Sequence, residues 1–303
     1  MKRSKTEYRG GAALCLRTSR LELVVTTDRG PRVVSFRMTG GGGENLFIEF
    51  PEDAPRAHGL ALLGGHRLWH APEAIPRTYQ PDDLPLAVRP LPAGVSLRQP
   101  VEPLTGLEKG MRIEGVGPGT VRVTHTLTNR GAWPVETAPW ALTMLRPGGY
   151  AVLPLPPKGS HAAGDLLPGG ALIPWTYTDL SLPLWQFHRD FIGIDVGRAK
   201  AAQKLGLTAY PGWSAYWLDG QVFVKQARRV AGAKYPDLGS CFEVFTNGAV
   251  IELETLGPLV SLEPGRSATH VEHWTILADT PRPDSPAAFV RLASRVGAWM
   301  KGL

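Results

Sequence analysis

The chain has 303 residues, 43% of them hydrophobic, with 35 Gly, 28 Pro and a formal net charge of +6. That length suffices for one large β domain with an ample core, and the basic residues are scattered, with no block longer than Arg228-Arg229, which argues against a nucleic-acid footprint. Two distant cysteines, Cys15 and Cys241, lack metal or redox spacing, and no apolar run reaches membrane-spanning length, so a cytoplasmic protein with no membrane partner is expected. Gly and Pro recur along the whole length with few helix-period runs, which points to many short strands and turns in a single domain over 1–303.

The stretches LELVVTT, PRVVSFRM and NLFIEF, within residues 21 to 50, read as strands joined by Asp28-Arg29-Gly30 and by Gly40 to Gly43. Next, in HGLALLGGHRLWHAPE (58–73), Gly64-Gly65 permits close backbone approach, and His66, Arg67, Trp69 and His70 follow at once. One reading is a pocket-lining loop, another a structural loop in which Trp69 is packed and Arg67 ion-paired. A zinc site from His66, His70 and Glu73 requires a helix, which Gly64-Gly65 and Pro72 oppose, so no metal is expected. In the strand VRVTHTLTN (121–129), Val121, Val123, His125 and Leu127 share one face; His125 reads as a hydrogen-bonded core residue or as a proton donor. The middle of the chain crowds Trp175, Tyr177, Trp185, Trp213, Tyr216 and Trp217 into short strands, and Asp219-Gly220 marks a hairpin.

Asn247-Gly248 lies between two β-rich runs and predicts strands at 241–246 and 249–256 joined by a two-residue turn. That register sets Val244 against Ile251, Phe242 against Leu253, Glu243 against Glu252 and Cys241 against Glu254. One face then carries Phe242, Val244, Ile251 and Leu253, the other Glu243, Glu252 and Glu254 with no Lys or Arg among them. Like charges on one face destabilise a sheet. The trio therefore marks either a site that needs a carboxylate base or a set of ion pairs with partners from elsewhere in the chain. Beyond the last strand, Ser285 or Asp284 as N-cap, Pro286, and apolar spacing through Phe289, Leu292, Val296 and Trp299 predict a helix over about 285–301.

The Leu253-Glu254-Thr255 segment with Pro258 shortly after it, and the ending SLEPGRSATHVEHWTIL, resemble the corresponding parts of aldose 1-epimerases, of the galactose mutarotase-like group. The Gly64-Gly65 pair with Arg67 is similar to a segment lining the sugar pocket of that group, with Leu63 where many relatives carry histidine. Counting from Pro134-Val135 sets Trp140 where those enzymes carry the histidine that protonates the ring oxygen. The resemblance implies a mainly antiparallel β-supersandwich with a short C-terminal helix. It implies Glu254 as catalytic base, His66 or His125 as acid, and Gly65, Arg67, Trp69, Trp140 and Glu252 against the substrate. The ligand would be a small carbohydrate, anionic derivatives included, taken without a cofactor by a monomer or homodimer. A sugar-binding protein without turnover is the alternative that Trp140 suggests.

Overall fold

The computed structural model describes residues 1–40 and 43–303; the centre of the Gly40 to Gly43 turn lies outside them. The alternating runs at the start form a meander of Lys2–Tyr8, Gly11–Arg17, Leu21–Thr26 and Arg32–Met38, each paired with the next. This sheet continues through Gly65–Ala71, Val135–Leu145, Ile251–Leu256, Phe242–Thr246, Gln203–Leu207 and Leu172–Pro174. Val260–Leu262 adds to Val135–Leu145, making eleven strands. A second sheet of ten runs Trp185–Phe187, Phe191–Asp195, Tyr150–Pro154, Trp213–Leu218, Gln221–Ala227, Ser267–Leu277, Thr120–Asn129, Leu107–Gly117, Gly94–Arg98 and Ala87–Leu91. The pairings are antiparallel throughout both.

The main core lies between the sheets. Phe36 and Phe47 meet Phe223 and Trp274 there with ring centroids 5.5–5.9 Å apart, tilted or edge-on as aromatic quadrupoles favour. A second core lies outside the ten-stranded sheet, where helix Pro286–Met300 sets Phe289, Leu292 and Val296 against Tyr150, Val152, Phe191 and Val222. Ser285 caps that helix by accepting from Ala288 N at 3.3 Å, as its sequence indicates.

Three sequence expectations change. The hairpin loop is longer than two residues: Thr246 pairs with Ile251, Val244 with Leu253 and Glu243 with Glu254. Asn247 Oδ1 accepts from the backbone of Ala249 and Val250, and Thr246 donates to Val250 O, so side chains close a wider turn. The slip is by two, so the faces stay as assigned. NLFIEF forms only isolated bridges at Phe47 and Glu49, because Asn45 satisfies Phe36 N, Phe47 N and Val34 O with its own amide. Finally, the segment expected as a loop is the fully buried central strand Gly65–Ala71. Gly64 and Gly65 admit it: both have positive φ, and a Cβ would stand 2.1 Å from Ile48 O or 2.2 Å from Val33 O.

Candidate functional site

Three adjacent strands set the site out in rows. Trp140 lies opposite Trp69 and Leu256, Leu142 opposite Arg67 and Glu254, Met144 opposite Gly65 and Glu252. Alternation therefore puts Gly65, Arg67, Trp69, Trp140, Glu252 and Glu254 on one face, the outer face of the eleven-stranded sheet. Glu243, opposite Glu254, and Lys204, opposite Phe245, extend it across two further strands. Tyr79 sits edge-on to Trp69 with centroids 4.9 Å apart, and Trp175 covers Lys204, so this outer face is roofed by loops.

Glu254 is fully buried and held by one oxygen. Its Oε2 accepts from Trp140 Nε1 at 2.7 Å and from Lys204 Nζ at 2.9 Å, while Oε1 has no hydrogen-bond partner among the described residues. The Lys204 ammonium also lies 2.8 Å from Glu243 Oε2, between the rings of Trp140 and Trp175 at 4.7 and 4.8 Å. Burial, then Lys204 acting in the opposite sense, then the Glu254 charge govern Glu243, with the net result well above the usual carboxylate range. Burial and the Glu254 charge likewise push Glu252 up to about 8, although the residue as a whole keeps some exposure. Arg67 is 2% exposed and stacks over Trp69 at 3.9 Å, yet none of its three guanidinium nitrogens has a hydrogen-bond partner among the described residues. Beside it, Arg32 is paired with Asp82 at 2.6 Å.

His66 and His125 do not join this group. In a strand, His66 points away from Arg67, into the space between the sheets, where its Nε2 meets His125 Nε2 at 2.7 Å. The wiring there orders the protons. His125 Nδ1 donates to His270 O, so its Nε2 accepts from His66, and His66 Nδ1 accepts from Thr143, which accepts from Lys225. Lys225 also lies 2.9 Å from Glu272, which accepts from Trp274 and Thr255, and Thr255 contacts His270 Nε2 at 2.6 Å. Burial holds His125 and His270 down to about 3 and His66 well below its usual value. These histidines form a closed, neutral core network that no ligand on the outer face can touch, which corrects their expected role as acid. His66 and His70 do share a face, by strand alternation; His66, His125 and Glu272 lie close enough for a metal, but the two histidines already bond each other and Glu272 is held by Lys225, Thr255 and Trp274.

Similarity to known proteins lies in the fold. No protein-family model matches the chain, and no curated protein does. Among solved structures, a galactose mutarotase-like protein from Lactobacillus casei superposes with a TM-score of 0.60 at 9% identity, over 88% of this chain and 100% of that one. Another from Clostridium acetobutylicum gives 0.58 at 9%, over 92% and 99%. A candidate aldose 1-epimerase from Escherichia coli K12 gives 0.57 at 12%, over 91% and 100%. The chain has the galactose mutarotase-like fold.

Within this mutarotase-like sandwich, sequence reasoning missed Lys204, Trp175 and the Lys225–Glu272 pair. Lys204 sits in QKLGL, and only the pairing of that strand with Phe242–Thr246 brings it to the carboxylates. For Lys225 a signal existed, since alternation puts it beside Phe223 on a core face. A cleft of about 400 Å³ lined by Leu155, Lys158, His161, Asp165, Leu172 and Leu207 opens elsewhere and holds none of the site groups.

Proposed function

We propose that the outer face of the eleven-stranded sheet binds a small carbohydrate and that Glu254 acts as general base in exchanging its anomers, an aldose 1-epimerase-type reaction. One observation carries this reading: among the described residues the face presents buried, unsatisfied groups of opposite kind, the Arg67 guanidinium and carboxylate oxygens of Glu243 and Glu254, with Trp69 and Trp140 alongside. An unpartnered buried polar group costs roughly 1–3 kcal/mol or more, and such a cost is retained where a ligand offsets it. Trp140 and Lys204 hold Oε2, which leaves Oε1 free to accept an anomeric hydroxyl proton. The planar fork of Arg67 suits a pair of ring hydroxyls or an anionic substituent such as a carboxylate or phosphate. Similarity of fold to mutarotase-like structures supports the same ligand class.

The second reading, binding without turnover, is favoured by Trp140, which stands at the acid position of the resemblance and is 3% exposed. The two are separated by following anomer exchange by NMR over neutral sugars, sugar phosphates and uronates, with affinity from calorimetry. Glu254→Gln should keep affinity within a few-fold and lose about 10²–10⁴-fold in exchange rate, since the amide cannot take up a proton as a base. Tight binding with exchange no faster than in buffer selects the second reading.

A further inference from the structure

Lys204 is the one cation paired with Glu254 among the described residues, and its setting is unusual for a structural lysine. It lies on the outer face, nearly fully buried, with carboxylates on two sides at 2.8 and 2.9 Å and indole rings on two others. Trp140, at the position where the resemblance calls for an acid, has only an indole N–H, which donates a hydrogen bond to Glu254 and does not release a proton. The acid role is therefore open, and Lys204 Nζ, 2.9 Å from Glu254 Oε2, carries a dissociable proton in direct contact with Glu254.

Building on the reading above, we propose that Lys204 is the catalytic acid that protonates the sugar ring oxygen. As Glu254 Oε1 takes the proton of the anomeric hydroxyl, the electron pair of that O–H bond forms the carbonyl. The bond from the anomeric carbon to the ring oxygen breaks, its pair stays on the ring oxygen, and the ring oxygen takes a proton from Lys204 Nζ. The aldehyde rotates. Closure on its other face returns the proton of the ring hydroxyl to Lys204 and that of Glu254 to the anomeric oxygen, so both groups end as they began.

Geometry and charge favour this pairing. The ring oxygen and the anomeric hydroxyl are bonded to one carbon, so a donor and an acceptor already in contact can address both. The step converts a buried ammonium–carboxylate pair into an amine and a carboxylic acid, which relieves the desolvation that buried charges suffer. The two proton transfers are also coupled. Burial alone would lower Lys204; the Glu254 and then the Glu243 charges outweigh it and hold the ammonium well above the ordinary lysine value. Protonating Glu254 removes the larger of these two influences as Lys204 must give up its proton.

The test compares wild type, Lys204→Arg and Lys204→Met for anomer exchange of glucose, galactose, glucose 6-phosphate and glucuronate by NMR, with folding checked by circular dichroism. Arginine keeps the charge and the ion pairs but does not deprotonate, so Lys204→Arg should lose about 10²–10⁴-fold in kcat with KM within a few-fold. Lys204→Met should lose the same activity whatever its effect on stability, and serves if the larger guanidinium disturbs the fold. A folded Lys204→Arg or Lys204→Met enzyme within tenfold of the wild-type kcat overturns the proposal and leaves the base role of Glu254 standing. Wild type that binds these sugars without accelerating exchange overturns both together.

Discussion

At the scale of single residues, Arg67 and Glu254 are kept in states that harm the free protein. A guanidinium buried against Trp69 without one hydrogen bond is a net destabiliser unless something arrives to pair with it. Arg67→Met should therefore raise stability in urea denaturation by about 1–3 kcal/mol, while calorimetry shows weaker binding of any sugar that wild type holds. A loss of stability instead would mean that Arg67 serves packing alone. The residue identities of this face were partly legible. Glu243, Glu252 and Glu254 were visible as a like-charged set, because alternation is a local property. Their counter-ion was not, because Lys204 reaches them only through pairing between strands far apart in sequence.

At the scale of elements, the Gly65–Ala71 strand decides most of what the sequence left ambiguous. Two glycines and a proline suggest a loop, yet the strand forms because the backbones of Ile48 and Val33 approach where a side chain would stand. Reading it as a loop keeps His66 beside Arg67; reading it as a strand sends them to opposite faces, which removes His66 from the site, while His125 is kept out of it by the alternation of its own strand, Thr120–Asn129. Gly65→Ala should cost on the order of 3 kcal/mol, from strain at φ +67 together with the 2.2 Å approach to Val33 O. The control is Gly297→Ala in the C-terminal helix, where nothing lies within 4 Å and a gain of up to about 1 kcal/mol is expected. Equal melting temperatures for the two variants would contradict the close-approach account. The Asp219-Gly220 hairpin, by contrast, was legible outright, with Leu218 and Gln221 paired across it.

At the scale of the whole molecule, the sandwich was legible from the density of short strands and turns, while its inner polar network was not. Four buried histidines, His66, His70, His125 and His270, weigh on how the protein responds to acid. Their folded values, about 2 for His70, about 3 for His125 and His270 and well below 6.5 for His66, lie under the ordinary value of about 6.5 in an unfolded chain. The stability they contribute is complete above about pH 6.5 and is lost as pH falls toward about 3, because the unfolded chain takes up protons that the folded one refuses. Glu252 works the other way: its raised value means stability present at low pH and lost as pH rises through about 8. Urea midpoints measured across pH should therefore fall on the acid side, and Glu252→Gln should flatten the alkaline side. In Glu252→Gln, where the opposing gain below pH 8 is removed, a midpoint that stays level from pH 6.5 to 3 would show that the histidines titrate normally.

The central position of Val135–Leu145, flanked by Gly65–Ala71 on one side and Ile251–Leu256 on the other, has a consequence for synthesis. At about 5–20 residues per second, the stretch from Leu145 to Ile251 takes on the order of 5–20 s to emerge from a ribosome. Through that interval Val135–Leu145 can pair with its earlier neighbour but not with its later one, so a hydrogen-bonding edge in the middle of the future sheet stands open to other nascent chains. The strand that covers most of this edge is the one that carries Glu254, so covering it also brings Glu254 to Trp140 and Lys204.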